Sequence, residues 1–463
     1  MKKIKYFVGT LCASVFLLSS CSESFFDINT DPSNPSQATP NLVLPSGISG
    51  SAFVMGGYYQ ALGSYWSQQY AQAPAATQWA EWESYNLTDD DLDRQFVSMY
   101  SGALLDLEYV RNSTVKSANW APYTIATLMQ AYDYQVLADL YDSIPFREAL
   151  KGSANLQPKY DDGRLVYDSL IVRINDAISK DFSVRTSVNP KTSDLVFGGD
   201  MNSWIAFGNT LKLKIYLRYV NDANPNRFKN EITALLDKNN FLDTDAKFVA
   251  FKAEETGYNP LFNTFVDRLS GNLNANKTIV DFLTTSSDPR LQKMFTAAAT
   301  GGLYTGIATG NSKNLLGTIK NYATPTIGNL DPVYFFSKEE VKFLIAEAQA
   351  RFKTPAEAQA TFQDGIKASL VSLGLADNAV TYPYNGIKSI LEQKWVAATN
   401  KRAIESFFDF NRTGYPDFFS VSLTSIFPGT DRPKRVFFPA SERKSNINTP
   451  KRVDLTKSVW WGK

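Results

Sequence analysis

Two consecutive segments of the chain predict a pair of helices. Residues 337–352 read SKEEVKFLIAEAQARF, and residues 353–373 read KTPAEAQATFQDGIKASLVSL. Ser337 and Glu340 have the spacing of a capping box, and Thr354 stands directly before a proline, which favours a second helix start. Two helices joined by so short a turn form an antiparallel pair. Such pairs are typical of tetratricopeptide-like arrays, in which each pair buries its apolar face against a neighbour.

Helical periodicity also dominates the first half of the chain. Apolar residues recur at three- and four-residue spacing in four segments, residues 96–110, 123–141, 166–178 and 204–219. We find no clean 34-residue repeat that joins these segments to the pair at 337–373. The predicted fold class is therefore mainly α. The array of helix pairs is inferred from local sequence patterns and not from a regular repeat.

Residues 240–335 have a different character, with Gly, Asn, Thr and Pro spread throughout. Long irregular stretches in compact domains are commonly functional, so we expect a binding surface here. The candidate ligand contacts are Tyr258, Tyr304 and Tyr322, together with Phe262. None of them lies in a motif, and packing in the core is the competing interpretation for each.

The densest aromatic cluster of the sequence lies in the stretch from residue 48 to residue 85. Trp66, Trp79, Trp82 and Tyr85 alternate there with amides and carboxylates. Flat apolar rings beside hydrogen-bonding groups suit sugar rings or other planar ligands. These four residues are therefore further candidate ligand contacts, and burial in a helical core is the equally weighted alternative.

The acidic run that follows, residues 86–93, invites comparison with a calcium loop. It lacks the glycine and the distal glutamate of such a loop. We interpret it as an acidic helix start with Thr88 as the cap, because carboxylates in a first turn are stabilised by the helix dipole. No metal site is predicted.

The N-terminus reads as an export signal. Lys2, Lys3 and Lys5 precede an apolar run too short to span a bilayer, and small residues then lead to Cys21. The order resembles a bacterial lipobox, which implies a signal peptide over residues 1–20 and a lipid anchor on Cys21. Residues 21–47 contain several prolines and predict an extended tether. Residues 48–463 are then expected to form a single domain.

Composition excludes several kinds of chemistry. The chain has no histidine, and its two cysteines are Cys12 in the leader and Cys21. Removing the three leader lysines lowers the basic total from 47 to 44 against 46 acidic residues, which gives no electrostatic argument for binding nucleic acid. The expected mature protein therefore has no disulfide, no Cys/His zinc site and no Ser-His-Asp triad. We predict no cofactor.

Several blocks together resemble the SusD/RagB family of outer-membrane nutrient-binding lipoproteins. The C-terminal blocks are FFSKEEVKFLIAEA (335–348), LEQKWVA (391–397), ESFFDFNRTG (405–414) and RVFFP (435–439) with Glu442. Blocks upstream agree in order: DINTDP (27–32), the turn at 140–150, residues 194–218 and DPRL (288–291). The resemblance extends over nearly the whole expected mature chain.

The resemblance implies four tetratricopeptide-like helix pairs and a loop-rich half that binds the ligand. It also implies a function without catalysis, on the outer face of the outer membrane. Members act as a lid over a SusC-like TonB-dependent transporter and pass it oligosaccharide or, in some members, peptide. Ligand residues differ among members, so the aromatic candidates above rest on composition alone.

Charged residues in the C-terminal blocks suggest an active site at first sight. Glu392, Lys394, Glu405, Asp409 and Arg412 lie on or beside predicted helices that are rich in aromatic residues. Their spacing permits ion pairs and caps, so we interpret them as structural.

Two other functions compete with a binding lid. A surface glycoside hydrolase would use two carboxylates across a cleft, but no pair stands in a recognisable hydrolase setting. A helical scaffold would use its helix pairs only for protein contacts. Turnover of a bound glycan would identify the first. Ligand binding that is lost when the candidate tryptophans are replaced, in a protein that stays folded, would argue against the scaffold.

Overall fold

The computed structural model describes residues 38–315 and 317–463. The predicted signal peptide, Cys21 and residues 21–37 of the predicted tether lie outside the described residues.

The described chain is mainly helical. Its helices in the first half are α1 (Pro40–Val54), α2 (Gln60–Trp66), α3 (Ala80–Glu83), α4 (Asp93–Ser98), α5 (Leu105–Val115), α6 (Trp120–Tyr141), α7 (Gly163–Ile178), α8 (Met201–Arg218) and α9 (Lys229–Lys238). Those in the second half are α10 (Lys277–Thr285), α11 (Leu291–Met294), α12 (Lys338–Phe352), α13 (Pro355–Ser372), α14 (Gly386–Ala398), α15 (Ala403–Thr413) and α16 (Ala440–Ser445). Wider π-helical turns continue the chain at Met55–Tyr59, Met99–Leu104 and Phe262–Arg268.

The strands are short and form two-stranded antiparallel ribbons. They are β1 (Tyr70–Gln72), β2 (Ile144–Pro145), β3 (Tyr160–Asp161), β4 (Ala246–Phe248), β5 (Leu273–Ala275), β6 (Phe295–Thr296), β7 (Thr324–Pro325) and β8 (Val333–Phe336). The pairs are β1 with β5, β2 with β3, β4 with β8 and β6 with β7. In the first of them Tyr70 stands opposite Ala275, which ties the aromatic segment to the irregular region.

Helices that are neighbours in the chain pack against one another. The pairs α5–α6, α7–α8, α12–α13 and α14–α15 are in contact, and α6 also packs on α7. The predicted pair at 337–373 is α12–α13. Its second helix opens with a reciprocal capping box in which the Thr354 amide donates to Glu357 Oε2 at 3.0 Å and Thr354 Oγ1 accepts from the Glu357 amide at 3.3 Å. Both the mainly α fold and the helix pairs are confirmed.

The prediction of extended chain up to residue 47 is wrong for residues 40–47. These residues form the first turns of α1, which contains Pro45. Pro40 occupies the first turn, where its missing N–H costs nothing. Burial of Leu44 and Ile48 in the core offsets the one hydrogen bond that Pro45 removes.

The predicted helix start at Thr88 is also wrong. The helix α4 begins at Asp93, and Thr88 instead makes a local turn in which its amide and hydroxyl both donate to Asp91 Oδ2, at 2.6 and 2.7 Å. The other oxygen of Asp91 accepts from Trp82 Nε1 at 3.2 Å. Because both oxygens of the Asp91 carboxylate accept hydrogen bonds, the acidic run folds as a turn against the aromatic segment.

A buried network of ion pairs joins helices that are distant in sequence. Glu405 on α15 pairs with Lys214 at 2.7 Å and Arg218 at 3.1 Å, both on α8. Asp409, one turn along α15, pairs with Lys394 of α14 at 2.8 Å and with Arg412 at 2.9 Å. Arg218 also pairs with Asp139 of α6. Arg412 pairs with Glu347 of α12. Arg402 pairs with both Glu340 and Glu405. The structural interpretation of Lys394, Glu405, Asp409 and Arg412 is therefore confirmed.

We expect Glu405→Gln to destabilise the fold by about 3 to 5 kcal/mol, because it leaves buried cations without their counter-charge. The measurement is the urea midpoint of unfolding. Glu392→Gln on α14 is the matched control. The nearest cation, Lys388, is 3.9 Å from Glu392 and is also paired to Asp417, so we expect a loss below about 1 kcal/mol. Equal midpoints for the two variants would contradict the structural role of Glu405.

Candidate functional site

A cleft of about 500 Å³ lies between α1, α4 and the irregular region of residues 240–335. Three segments line it: residues 53–58 at the end of α1, residues 94–98 on α4, and residues 255–269. Two of these segments contain a π-helical turn, a feature that occurs frequently at functional sites.

Tyr58 presents a ring to this cleft and is backed by other rings. It is half-buried and lies edge-on to Trp79 and Trp82, with ring centroids 5.9 Å away in each case, and to Phe265 at 5.8 Å. Trp79 and Phe265 stack on each other at 4.6 Å. Phe53, which is 49% exposed, lines the same cleft. The site thus combines accessible aromatic surface with a rigid aromatic backing.

The first four sequence candidates lie in the core. Trp66, Trp79, Trp82 and Tyr85 are 2–5% exposed, which agrees with burial in a core, one of the two alternatives that the sequence left open for them. Trp66 Nε1 donates to the carbonyl of Trp82 at 3.0 Å, and Tyr85 stacks on Phe427 at 6.1 Å. Their faces are covered because this segment packs on α2, α15 and the C-terminal loops. The structure brings Trp79 and Trp82 together behind the cleft.

The other three candidates are half-exposed and lie in separate places. Tyr258 contacts Phe262 edge-to-face at 5.3 Å and belongs to the segment that lines the cleft. Tyr304 packs against a different apolar cluster, which includes Ile279 and Trp395. The carbonyl of Tyr322 lies 3.4 Å from the amide of Asn274 on β5, within hydrogen-bonding distance.

The polar groups of the cleft are chiefly cationic and amide side chains. Arg268 pairs with Glu255 at 3.7 Å, with both side chains exposed. Arg94 is exposed and forms no ion pair within 4 Å among the described residues. The neighbouring Asp91 and Asp93 accept hydrogen bonds from Trp82 and from the amide of Ser441. Burial raises the pKa of Tyr58, and the nearby Arg94 opposes that rise. A ring stacked on Tyr58 would therefore lie near the guanidinium of Arg94 and the side-chain amides of Gln95 and Asn263, which line the same cleft.

Phe53, Tyr58 and Arg94 were not among the ligand contacts predicted from the sequence. The available signal was the Gly56-Gly57 pair before Tyr58. A Cβ on Gly56 would stand 2.1 Å from the Val333 side chain, and Gly57 has the non-helical angles φ −97° and ψ −109°. The two glycines thus permit the wide turn that aims Tyr58 at the cleft.

Three larger cavities lie elsewhere in the described chain. One, of about 700 Å³, lies between α12, α13 and residues 243–247, and many of its charges are paired, as in Lys338 with Asp243 at 3.2 Å. A second, of about 820 Å³, lies beside α5 and Ala38, and a third, of about 590 Å³, lies beside Tyr384 and Arg412.

Residues 38–315 and 317–463 contain no group of three or more His, Cys, Asp or Glu side chains placed to hold a metal ion. None of their helices has both the length and the apolarity needed to cross a membrane.

The buried carboxylate of Glu83 joins the aromatic segment to β1 and to Gly310. Glu83, beside Trp82, accepts from the amide of Gln72 on β1 at 2.9 Å and from the amide of Gly310 at 3.1 Å. No cation of the described chain lies within 4 Å of it. Burial raises its pKa to about 8, against which the two amide hydrogen bonds act.

Comparisons with known proteins agree with this fold. A family model described as SusD-like, starch-binding associating with outer membrane, matches residues 52–439. No curated protein is significantly similar in sequence.

Solved structures extend the comparison across the domain. A SusD homolog from Bacteroides uniformis has a TM-score of 0.76 at 22% identity and covers 91% of this chain and 99% of its own. A chitin-binding protein has a TM-score of 0.75 at 20% identity, covering 92% of this chain and all of its own. A chitin-binding SusD homolog from Flavobacterium johnsoniae has a TM-score of 0.75 at 18% identity, covering 90% and 98%. At these identities the comparisons show the fold alone.

The raised pKa of Glu83 makes the free energy of unfolding depend on pH. Its pKa of about 8 in the folded protein exceeds the usual 4.5, so between these values the folded state holds a proton that the unfolded state has lost. Stability contributed by this group is therefore lost as pH rises, by up to about 1.4 kcal/mol per pH unit. We expect urea midpoints, measured from about pH 5 to 8, to fall less steeply in Glu83→Gln. Parallel curves for the variant and the unchanged protein would contradict the assignment.

Proposed function

Because the chain belongs to the SusD-like family of starch-binding, outer-membrane-associated proteins, we propose that it is a cell-surface lipoprotein that captures oligosaccharide in the cleft beside Tyr58. It hands this ligand to a SusC-like TonB-dependent transporter, over which it acts as a lid. Cys21 carries the lipid anchor, and the protein faces the cell exterior.

The observation that carries the ligand proposal is the backed ring of Tyr58. Sugar rings stack on an aromatic face while neighbouring polar groups bind their hydroxyls. Tyr58 is held in place by Trp79, Trp82 and Phe265, so little side-chain entropy is lost when a ligand binds. Two solved structures of similar fold are described as chitin-binding, which supports a carbohydrate ligand.

The transporter proposal rests on the family and on the helix pairs. In this proposal the helical array contacts the barrel, and the cleft in the other part of the molecule delivers the ligand. The charged surface between α12 and α13, which includes Lys342 and Lys367, offers polar contacts for such a partner.

Binding without turnover fits the chemistry of the cleft. Glu255 is the single carboxylate among the described residues that line it, and it is exposed and paired to Arg268. Hydrolysis of a glycosidic bond by protein carboxylates needs two of them on either side of the bond.

The test is a binding screen of residues 22–463 against glycan and peptide libraries, with product analysis of every ligand found. A bound glycan that is recovered intact supports the proposal. A cleaved glycan would favour a hydrolase, and binding of peptides alone would change the ligand class. No ligand in either library would contradict the capture role.

We expect Arg94→Ala to weaken binding of a glycan hit about 10-fold or more, because a charged hydrogen bond contributes about 1.5 kcal/mol or more. Phe53→Ala should weaken it about 3- to 10-fold through lost ring contact. Both side chains are exposed, so the fold should persist. Lys367→Ala, in the cavity at α13, is the matched control and should bind like the unchanged protein. Unchanged affinity in both cleft variants, measured by calorimetry, would place the ligand elsewhere.

A further inference from the structure

A small closed cavity lies inside the ion network. It holds about 10 Å³, close to the space that one water molecule requires. It lies at the junction of three helices, since its lining includes Glu340 from α12, Lys394 from α14 and Ser406 from α15. These side chains are 3–5% exposed, so bulk solvent does not reach them.

Some buried polar atoms around this cavity lack a hydrogen-bond partner among the described residues. The Oε1 atom of Glu340 and the hydroxyl of Ser406 have no hydrogen-bond partner among the described residues. Lys394 has three donor hydrogens, and the carboxylate it contacts is that of Asp409 at 2.8 Å. A buried polar group without a partner costs about 1 to 3 kcal/mol, so two such groups beside the spare donor hydrogens of Lys394, around one space, indicate a bound ligand.

We propose that the cavity binds one water molecule, which accepts from Lys394, donates to Glu340 and hydrogen-bonds to Ser406. Three partners are typical of a buried water. The water joins the helix pair α12–α13 to the pair α14–α15 at the level where their charged side chains meet.

The charges of the network favour a neutral ligand over an ion. Its buried bases are Lys214, Arg218, Lys394, Arg402 and Arg412, and its buried acids are Asp139, Glu340, Glu347, Glu405 and Asp409. The two sets are equal in number. A chloride or a sodium ion would add an uncompensated charge to a closed space, which is far more costly than adding a water.

The direct test is a crystal structure of residues 22–463 at a resolution that shows ordered water. We expect one peak within hydrogen-bonding distance of Glu340, Lys394 and Ser406. A second crystal soaked in rubidium bromide should show no anomalous signal there. An empty cavity, or an anomalous peak at this position, would overturn the proposal.

Two substitutions test the same site in solution. Ser406→Ala removes one partner and leaves room for the water, whereas Ser406→Val fills part of that room and strands Lys394 and Glu340. We expect the melting temperature to fall in the order unchanged protein, Ser406→Ala, Ser406→Val. Ser67→Ala is the control, because that buried hydroxyl, directly after the end of α2, donates to the carbonyl of Gly63 in the last turn of the helix. A Ser406→Val protein as stable as the unchanged one would contradict a bound water.

Discussion

The pairing of buried charges around α15 constrains how the neighbouring helices meet. A charge in a dry interior is tolerated only beside its partner, so Glu405 and Asp409 admit few arrangements of the helices that carry Arg218, Lys394 and Arg412. Hydrophobic packing alone would allow these helices to slide by a turn at modest cost. The ion pairs remove that freedom, and they do so between segments almost 200 residues apart.

This constraint reaches the cleft through α2. The Gln60 side chain accepts a hydrogen bond from the amide of Ala403 at 2.7 Å, and Trp66 packs on Phe407 of α15 with ring centroids 4.9 Å apart. The wide turn that carries Tyr58 runs directly into α2. Tyr58 is therefore held by the charged core on one side and by buried tryptophans on the other, while Phe53 and Arg94 keep their exposure to solvent.

Sequence predicted those parts of the fold that local signals determine. The capping residue Thr354 and the apolar spacing of α6, α7 and α8 act within a few residues, and these helices form as expected. The partners of Glu405 on α8 could not be predicted, because they depend on how distant helices meet. Pattern likewise could not tell an exposed aromatic ring from a buried one, so Trp79 and Trp82 were selected and Tyr58 was missed. The glycines before Tyr58 become informative only once Val333 is seen beside them.

Capture of ligand at the cleft of Phe53, Tyr58, Arg94 and residues 255–269 can be tested by hydrogen–deuterium exchange of residues 22–463, with and without a saturating glycan found by screening. We expect slower exchange in residues 53–60, 94–98 and 255–269, with α12 and α13 unchanged. Slower exchange elsewhere, with these three segments unaffected, would contradict binding at the cleft.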